Sequence, residues 1–498
     1  MRLIGFAFSA LLLAAALPAT PLAAPLDAQI AQAEFAARRE ALVARLDDGA
    51  VLVLAAPEAA QDYLPWSQSR PFYYLTGFRE PDAALLLARV NGSIRATLFV
   101  SPRDPAQEVW TGARLGVDGV GPATGMQGRD VAELRNAVDS VLRGDIRLYV
   151  VGDFFGGPTT LSAHEQYVNA LKASFPTARI EDGTGAVARL RGRKSEAELE
   201  RLRIAAEISA RGHLAAFALA QPGVGEWELQ AAAEAVWRRE SGDVPGYGSI
   251  VGSGPNATTL HYNVNTRVTQ AGDVVVMDMA TQFDGYSADI TRTIPVSGRF
   301  SPAQRDIYDV VLAAQKAAER LIEPGARWQS LTTAAANTLA QGLTRLGLMD
   351  SPNATYDCGS AQRPRRCPQL ALFYMHGLGH GIGLDVHDPD QYEQSAIGVG
   401  SAFTIEPGIY VRENLPQILP RTPDNEAYLR RTAQAFERYK GIGVRIEDDY
   451  LVTARGVERP SALVPRELED VERVMQEPRT PWDSASTQRV QRMRSGTP

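Results

Sequence analysis

The chain has 498 residues, 45% of them hydrophobic and 22% charged, and a formal net charge of −7. That length accommodates two or more domains, and the composition excludes general disorder. The acidic balance speaks against a nucleic-acid partner, since the one basic run, Arg363-Pro364-Arg365-Arg366, is short and reads as a solvated loop. At the N-terminus, residues 1–24 have the layout of a secretory signal peptide: Arg2, an apolar run to Leu17, then small residues and prolines. The run is short for a transmembrane helix, so stable membrane insertion is not expected. The mature protein is expected to be secreted or periplasmic.

Residues 27–190 alternate apolar runs with helical patterns. Strands are expected at 50–57, 84–90, 95–102 and 146–152, and helices at 130–144 and 161–175. Such alternation argues for an α/β domain. His164 reads as a surface or boundary position on the second helix. A second domain, 194–476, is expected to open with a helix capped by Ser195 and Glu198. His213 lies in that helix with no partner nearby in sequence. A loose internal repeat follows: one helix pair is joined at Pro222-Gly223 and a second at Pro324-Gly325, each leading into strands that carry acidic residues. Two halves with a site between them are therefore expected. The only cysteines, Cys358 and Cys367, share one polar loop, and export favours a disulfide over two free thiols. The polar tail 477–498 is expected to be disordered.

The chemistry concentrates in four stretches. In "VVVMDMATQFDGYSADITRTIPV" (274–296), Asp284-Gly285 is a strong hairpin signal. That turn sets Asp278 opposite Thr291 and Asp289 opposite Ala280. Asp278 and Asp289 then share a face as diagonal neighbours. Two adjacent carboxylates in an apolar hairpin require a proton or a cation between them. Glu406 ends the apolar run of "GSAFTIEPGIYV", and Arg445 and Glu447 stand two apart in "GIGVRIEDDYLV", with Asp448 on the opposite face. A simple salt bridge between Arg445 and Glu447 is the plainer alternative. Asp278, Asp289, Glu406 and Glu447 together balance two divalent cations. Oxygen-rich ligation with one imidazole favours Mn²⁺, with Zn²⁺ or Co²⁺ as alternatives. A water shared by two cations becomes a nucleophile near neutral pH. The fourth stretch, "HGLGHGIGLDVHD" (376–388), holds three of the six histidines of the chain.

With "IVGSGPNATTLHYN", "FYMHGLGHGIGLDVHD", "TIEPGIYV" and "GIGVRIEDDYLVT" in this order, the sequence resembles the pita-bread metallopeptidases, most closely the Xaa-Pro aminopeptidase and prolidase group. The likeness extends into the first domain through "PFYYLTGFREPDAALLL" and "EVWTGARLG". It implies an α/β creatinase-like N-terminal domain followed by an α+β pita-bread catalytic domain. It also implies a dimer or tetramer, and peptide substrates with proline at the second position. Carried onto this chain, it implies Asp278, Asp289, His380, Glu406 and Glu447 as metal ligands, with Asp289 and Glu447 bridging. Glu406 would handle the proton of a metal-bridging hydroxide and His387 the scissile carbonyl. His376 and His261 would line the pocket, and Arg445 would orient the ligand carboxylates. Tyr410 and Trp110 match positions near the substrate, Trp110 from a neighbouring subunit. Met279-Ala280 depart from the small residue and glycine usual after the first Asp, and 411–440 is unusually long and polar, which reads as a lid, a subunit contact or a disordered insertion. A dipeptidase limited to Xaa-Pro is the alternative activity. A non-catalytic peptide-binding module is a further alternative, disfavoured by the complete ligand set.

Overall fold

The computed structural model describes residues 30–477 apart from 91–92, 155–159, 241–243, 361 and 390–395, together with residue 488. The expected signal peptide and nearly all of the expected disordered tail lie outside the described residues. The first part of the chain builds one six-stranded sheet. Its strands are β1 (Ala50–Leu54), β2 (Ala84–Val90), β3 (Ser93–Val100), β4 (Gln127–Asp130), β5 (Leu148–Val151) and β6 (Ile180–Asp182), in the order β4-β3-β2-β1-β5-β6. The β1–β2–β3 meander is antiparallel, whereas β1–β5, β5–β6 and β3–β4 are parallel. The four strands expected from apolar runs are present. The edge strands β4 and β6 escape such a reading because only Ile180 among their seven residues is buried. His164 is not a surface residue. It is buried, its Nδ1 accepting from the Asp153 amide (2.8 Å) and its Nε2–H donating to the Ala55 carbonyl (2.8 Å). Its first-turn position falls beside the C-terminal ends of the interior strands β1 and β5, whose backbone groups need hydrogen-bond partners.

The second part begins with the helix Glu196–Leu219, whose Ser195–Glu198 capping box forms as expected. This helix packs on Glu226–Glu240, and Pro302–Glu319 packs on Trp328–Arg345. The turns entering the second helix of each pair match: Gly223 and Gly325 both have φ of +98°, a left-handed conformation that glycine adopts at no steric cost. After each pair comes a three-stranded antiparallel sheet. The first contains β7 (Ile250–Ser253), β8 (Val274–Asp278) and β11 (Thr291–Pro295), with the short hairpin β9 (Gln282–Phe283) and β10 (Tyr286–Ser287) beyond it. A small hairpin of β12 (Thr355–Asp357) and β13 (Arg366–Pro368) is closed by the Cys358–Cys367 disulfide. The second sheet contains β14 (Ala402–Ile405), β17 (Asp448–Thr453) and β18 (Gly456–Glu458), with β15 (Gly408–Tyr410) paired to β16 (Gly443–Arg445) beside it. The two halves meet where the Glu447 amide donates to the Thr291 carbonyl (3.0 Å).

One apolar core runs through both halves. A second joins the first sheet to the second part, placing Phe35, Phe72 and Leu85 in one cluster with Tyr286, Ile382 and Leu451. The segment 411–440 is neither disordered nor a free lid. It forms the helix Pro423–Tyr439, which buries Tyr428, Phe436 and Tyr439, and the Tyr428 hydroxyl donates to the Leu348 carbonyl (2.9 Å). His213 is fully buried, and its Nε2 bonds the Met279 carbonyl (2.9 Å), tying the long helix to the residue after Asp278.

Candidate metal centre

The hairpin forms in the expected register. Asp278 pairs with Thr291 in β8–β11, and Phe283 pairs with Tyr286 at the tip. Asp284 and Gly285 take φ of +52° and +86°, as a two-residue hairpin loop requires. Asp278 and Asp289 are both buried. The hydroxyl of Tyr247 lies 2.7 Å from Asp278 Oδ1 and 2.6 Å from Asp289 Oδ1, so one phenol binds the two carboxylates together.

His380 arrives from the glycine-rich stretch, which runs beside β14. The Thr404 amide donates to the His380 carbonyl (2.9 Å) and the Glu406 amide to the Leu378 carbonyl (2.8 Å). A Cβ on Gly379 would stand 2.1 Å from the Thr404 carbonyl oxygen, so the close approach depends on that glycine. His380 Nδ1–H donates to the Gly381 carbonyl (3.1 Å), which turns Nε2 towards the carboxylates. That Nε2 lies 3.5 Å from Asp289 Oδ2 and 3.5 Å from Glu406 Oε1. Asp289, His380 and Glu447 each point a ligand atom into a space where all three atoms lie within 4.8 Å of one another.

Arg445 does not pair with Glu447. Its Nη2 bonds Asp278 Oδ2 (2.5 Å) and the Leu260 carbonyl (3.3 Å), and its Nη1 bonds the Tyr410 hydroxyl (2.9 Å). The same hydroxyl is 2.9 Å from His376 Nε2, and His376 Nδ1 is 3.7 Å from Glu406 Oε2. Thr291 Oγ1 donates to Glu447 Oε2 (2.6 Å), but Glu447 Oε1 is buried with no hydrogen-bond partner. The His387 ring lies 4.0 Å from that of His380 and faces outward. His261 is exposed at the rim. Trp110 sits on the first domain in the exposed helix Pro105–Thr111, which buries none of its residues, and makes no described contact with this cluster.

Electrostatics divides these groups. Burial pushes Glu447 well above the usual carboxylate range, reinforced by Asp289 and Glu406. Glu406 is pushed up to about 7 by burial, against the pull of His380 and Arg445. Asp278 is also raised by burial, which outweighs Arg445. Burial alone would raise Asp289, but the hydrogen bond and charge of His380 hold it below its usual value. In the metal-free protein, His380 goes up to about 9: Asp289 and Glu406 overcome the burial that would lower it. The donor set therefore fits divalent cations. Its carboxylates are held together at a cost that protons or cations relieve, and one buried oxygen lacks any partner in the protein.

Sequence reasoning passed over Tyr247, Thr291 and Asp449. Asp449 accepts from the Asp289 amide (3.2 Å), and burial beside Asp289 raises its carboxyl well above the usual range. The hairpin register already set Thr291 opposite Asp278, and alternation put Asp449 on the face of Glu447. Tyr247 carried no comparable signal, since it lies between elements in "PGYGSI".

Residues 200–454 match the profile of metallopeptidase family M24, and residues 35–149 that of the aminopeptidase P N-terminal domain. The chain is 35% identical over 456 residues to Xaa-Pro aminopeptidase of Haemophilus influenzae, covering 90% of this chain and 98% of that one. It is 34% identical to Xaa-Pro aminopeptidase of Escherichia coli over 459 residues, with the same coverage. Among solved structures, zinc-substituted E. coli aminopeptidase P in complex with product superposes with a TM-score of 0.76 at 32% identity, covering 91% of this chain and all of that one. The E. coli enzyme with the inhibitor Pro-Leu gives a TM-score of 0.75 at 32% identity, covering 92% and 99%.

Proposed function

The chain belongs to metallopeptidase family M24 and is a metallo-aminopeptidase, and we propose that it uses two divalent cations to hydrolyse the bond between an N-terminal residue and a following proline, outside the cytoplasm. The fold is an aminopeptidase P N-terminal domain joined to a pita-bread catalytic domain. The observation that carries the reading is the convergence of Asp289, His380 and Glu447, with Glu406 3.5 Å from His380 and Oε1 of Glu447 buried without a partner. Asp278, Asp289, His380, Glu406 and Glu447 would hold the cations. When bound, the cations acidify a water and polarise the scissile carbonyl. Mn²⁺ suits this oxygen-rich set, with Zn²⁺ or Co²⁺ as alternatives.

The chain's own residues do the rest. Glu406, whose carboxylate lies beside His380, accepts the proton of the attacking water and returns it to the proline nitrogen as the C–N bond breaks. Proline has no N–H, so the departing imide nitrogen must receive that proton. His387, whose ring lies 4.0 Å from that of His380, donates its N–H to the carbonyl oxygen as negative charge grows there. His376 and His261 line the pocket for the proline ring. Arg445 holds Asp278 and, through Tyr410, His376.

A dimer or tetramer is the proposed assembly. Val109 and Trp110 are 81% and 72% exposed on a helix with no buried face, which suits them to reach a neighbouring subunit. The disulfide suits an oxidising compartment, and the N-terminal leader supports export to the periplasm or the medium.

Mass spectrometry of products from Xaa-Pro and Xaa-Pro-Yaa-Yaa peptides after Mn²⁺ loading tests the activity. Free Xaa from the longer peptide is expected; cleavage of the dipeptide alone would make the enzyme a dipeptidase. D289N and H380A are expected to lower kcat/KM by at least about a thousandfold with the fold intact. Full activity in either variant contradicts the assignment. Elemental analysis should find close to two cations per chain.

A further inference from the structure

The segment 254–267 joins β7 to β8 and carries His261. Between Thr259 and Val264 only Leu260 and Tyr262 are even half-buried, and these two flank His261. One side of the loop rests on the metal centre. A Cβ on Gly443 would stand 2.0 Å from the Ala257 carbonyl oxygen, so the loop lies directly on β16, the strand that ends in Arg445. The Leu260 carbonyl accepts from Arg445 Nη2 (3.3 Å), and the same nitrogen bonds Asp278 Oδ2 (2.5 Å). His261 interacts electrostatically with both His376 and His387, which places its imidazole near the two.

The other side of the loop is held by one carboxylate. Glu226 opens the helix Glu226–Glu240 and is fully buried. Its Oε1 accepts from the Ser253 amide (2.7 Å), the Ser253 hydroxyl (2.7 Å) and Asn256 Nδ2 (3.1 Å). Its Oε2 accepts from the Tyr262 hydroxyl (2.9 Å) and the Arg267 amide (2.8 Å). All five donors are neutral and none lies in the helix of Glu226, so the carboxylate serves the loop and not the helix end. A carboxylate buried this deeply is tolerated only when its oxygens are hydrogen-bonded, and these five bonds satisfy it. The Tyr262 hydroxyl also accepts from the Thr266 amide (3.3 Å), which closes the turn behind His261. His261 is thus fixed through its two neighbours, Leu260 by Arg445 and Tyr262 by Glu226.

We propose that Glu226 is a positioning residue for the reaction: through Tyr262 it holds the backbone of His261 where the imidazole meets the substrate. The proposal rests on the aminopeptidase reading, in which His261 lines the pocket. Glu226 touches no substrate and moves no proton. Its effect on catalysis runs through His261 alone. A carboxylate that only stabilised the fold would weaken the enzyme equally with and without that imidazole. Placement matters at this scale because a group displaced by about 1 Å costs on the order of a hundredfold in rate.

The test uses the Mn²⁺-loaded enzyme and two variants. Tyr262→Phe removes one of the five bonds, and Glu226→Gln leaves an acceptor at only one of the two oxygen positions. E226Q is expected to lower kcat/KM for Xaa-Pro-Yaa-Yaa by about tenfold or more, and Y262F by about three- to tenfold. In an H261A background neither should lower it further by more than about twofold. Losses that multiply in full overturn the proposal. A second readout needs no turnover. The chain has six histidines, so NMR spectra of Zn²⁺-loaded protein isotope-labelled at histidine contain few ring signals, and that of His261 is identified by its loss in H261A. This signal should shift in both variants, while those of the buried His164 and His213 stay in place. An unchanged His261 signal in both variants overturns the proposal. Should E226Q not fold, Y262F alone carries both readouts. If the wild type cleaves no Xaa-Pro peptide at all, the aminopeptidase reading fails, and the His261 signal still decides whether Glu226 holds the loop.

Discussion

Tyr247 carries a large share of the site's geometry in a single hydroxyl. It stands between Asp278 and Asp289, whose mutual repulsion it moderates without adding charge. Partners of this kind fix the orientation of ligand carboxylates, and their loss weakens metal binding. Tyr247→Phe is expected to reduce Mn²⁺ affinity by about 10- to 100-fold while leaving thermal stability nearly unchanged, checked by calorimetric metal titration of the chelator-treated enzyme. Unchanged affinity would show that Arg445 alone orients the pair. Hairpin register is a local rule, so the sequence alone set Asp278 and Asp289 on one face of the hairpin, as the structure has them. Tyr247 was out of reach, since its partners lie 31 and 42 residues away and nothing near it has a period.

The glycine-rich loop is held at its far end by charge. Asp388, the residue after His387, is buried between Arg191 and Lys194 of the segment that joins the two domains. Lys194 Nζ lies 2.9 Å from Asp388 Oδ2, and a Cβ on Gly383 would stand 2.6 Å from the same carboxyl carbon. Burial would raise the Asp388 carboxyl, but Arg191 and Lys194 hold it below its usual value. Removing one partner of a buried ion network strands the others, at a cost of about 3–5 kcal/mol. Asp388→Asn is therefore expected to lower the unfolding free energy by roughly that amount. It should also lower kcat, because His387 loses its anchor. In a His387→Ala background, D388N should cost stability but little further kcat, as a double-mutant cycle would reveal. Full additivity in kcat would separate Asp388 from His387. The sequence marks the segment near Lys194 as a domain junction, yet it does not reveal that the junction grips a catalytic loop almost 200 residues away.

Across the whole molecule, two half-domains deliver acids to one seam, where burial raises the carboxyls of Glu406 and Glu447. Glu406 sits at about 7 in the folded metal-free chain, above its ordinary value. The folded state thus keeps a proton that the unfolded chain has released, so stability is lost as pH rises from about 4.5 towards 7. Bound Mn²⁺ should remove this penalty, because cations replace the proton. The thermal midpoint of the loaded enzyme minus that of the metal-free enzyme is expected to widen steadily from pH 5 to pH 8, as scanning calorimetry can measure. A constant difference would mean that the acids are relieved in some other way. By itself the sequence determined most of the strands and helices, but not the polar edge strands. Caps, turn residues and alternating strands act over a few residues, so the Ser195 capping box, the Asp284-Gly285 turn and the face shared by Asp278 and Asp289 could all be read from short stretches. Tertiary structure alone decided which of those groups meet. It set Arg445 against Asp278 and not Glu447, buried His164 and packed the helix Pro423–Tyr439 onto the core. It also kept Trp110 away from the site within one chain. These outcomes depend on packing between segments far apart in sequence, where burial and charge pairing are settled by the whole fold and leave no periodic trace in the chain.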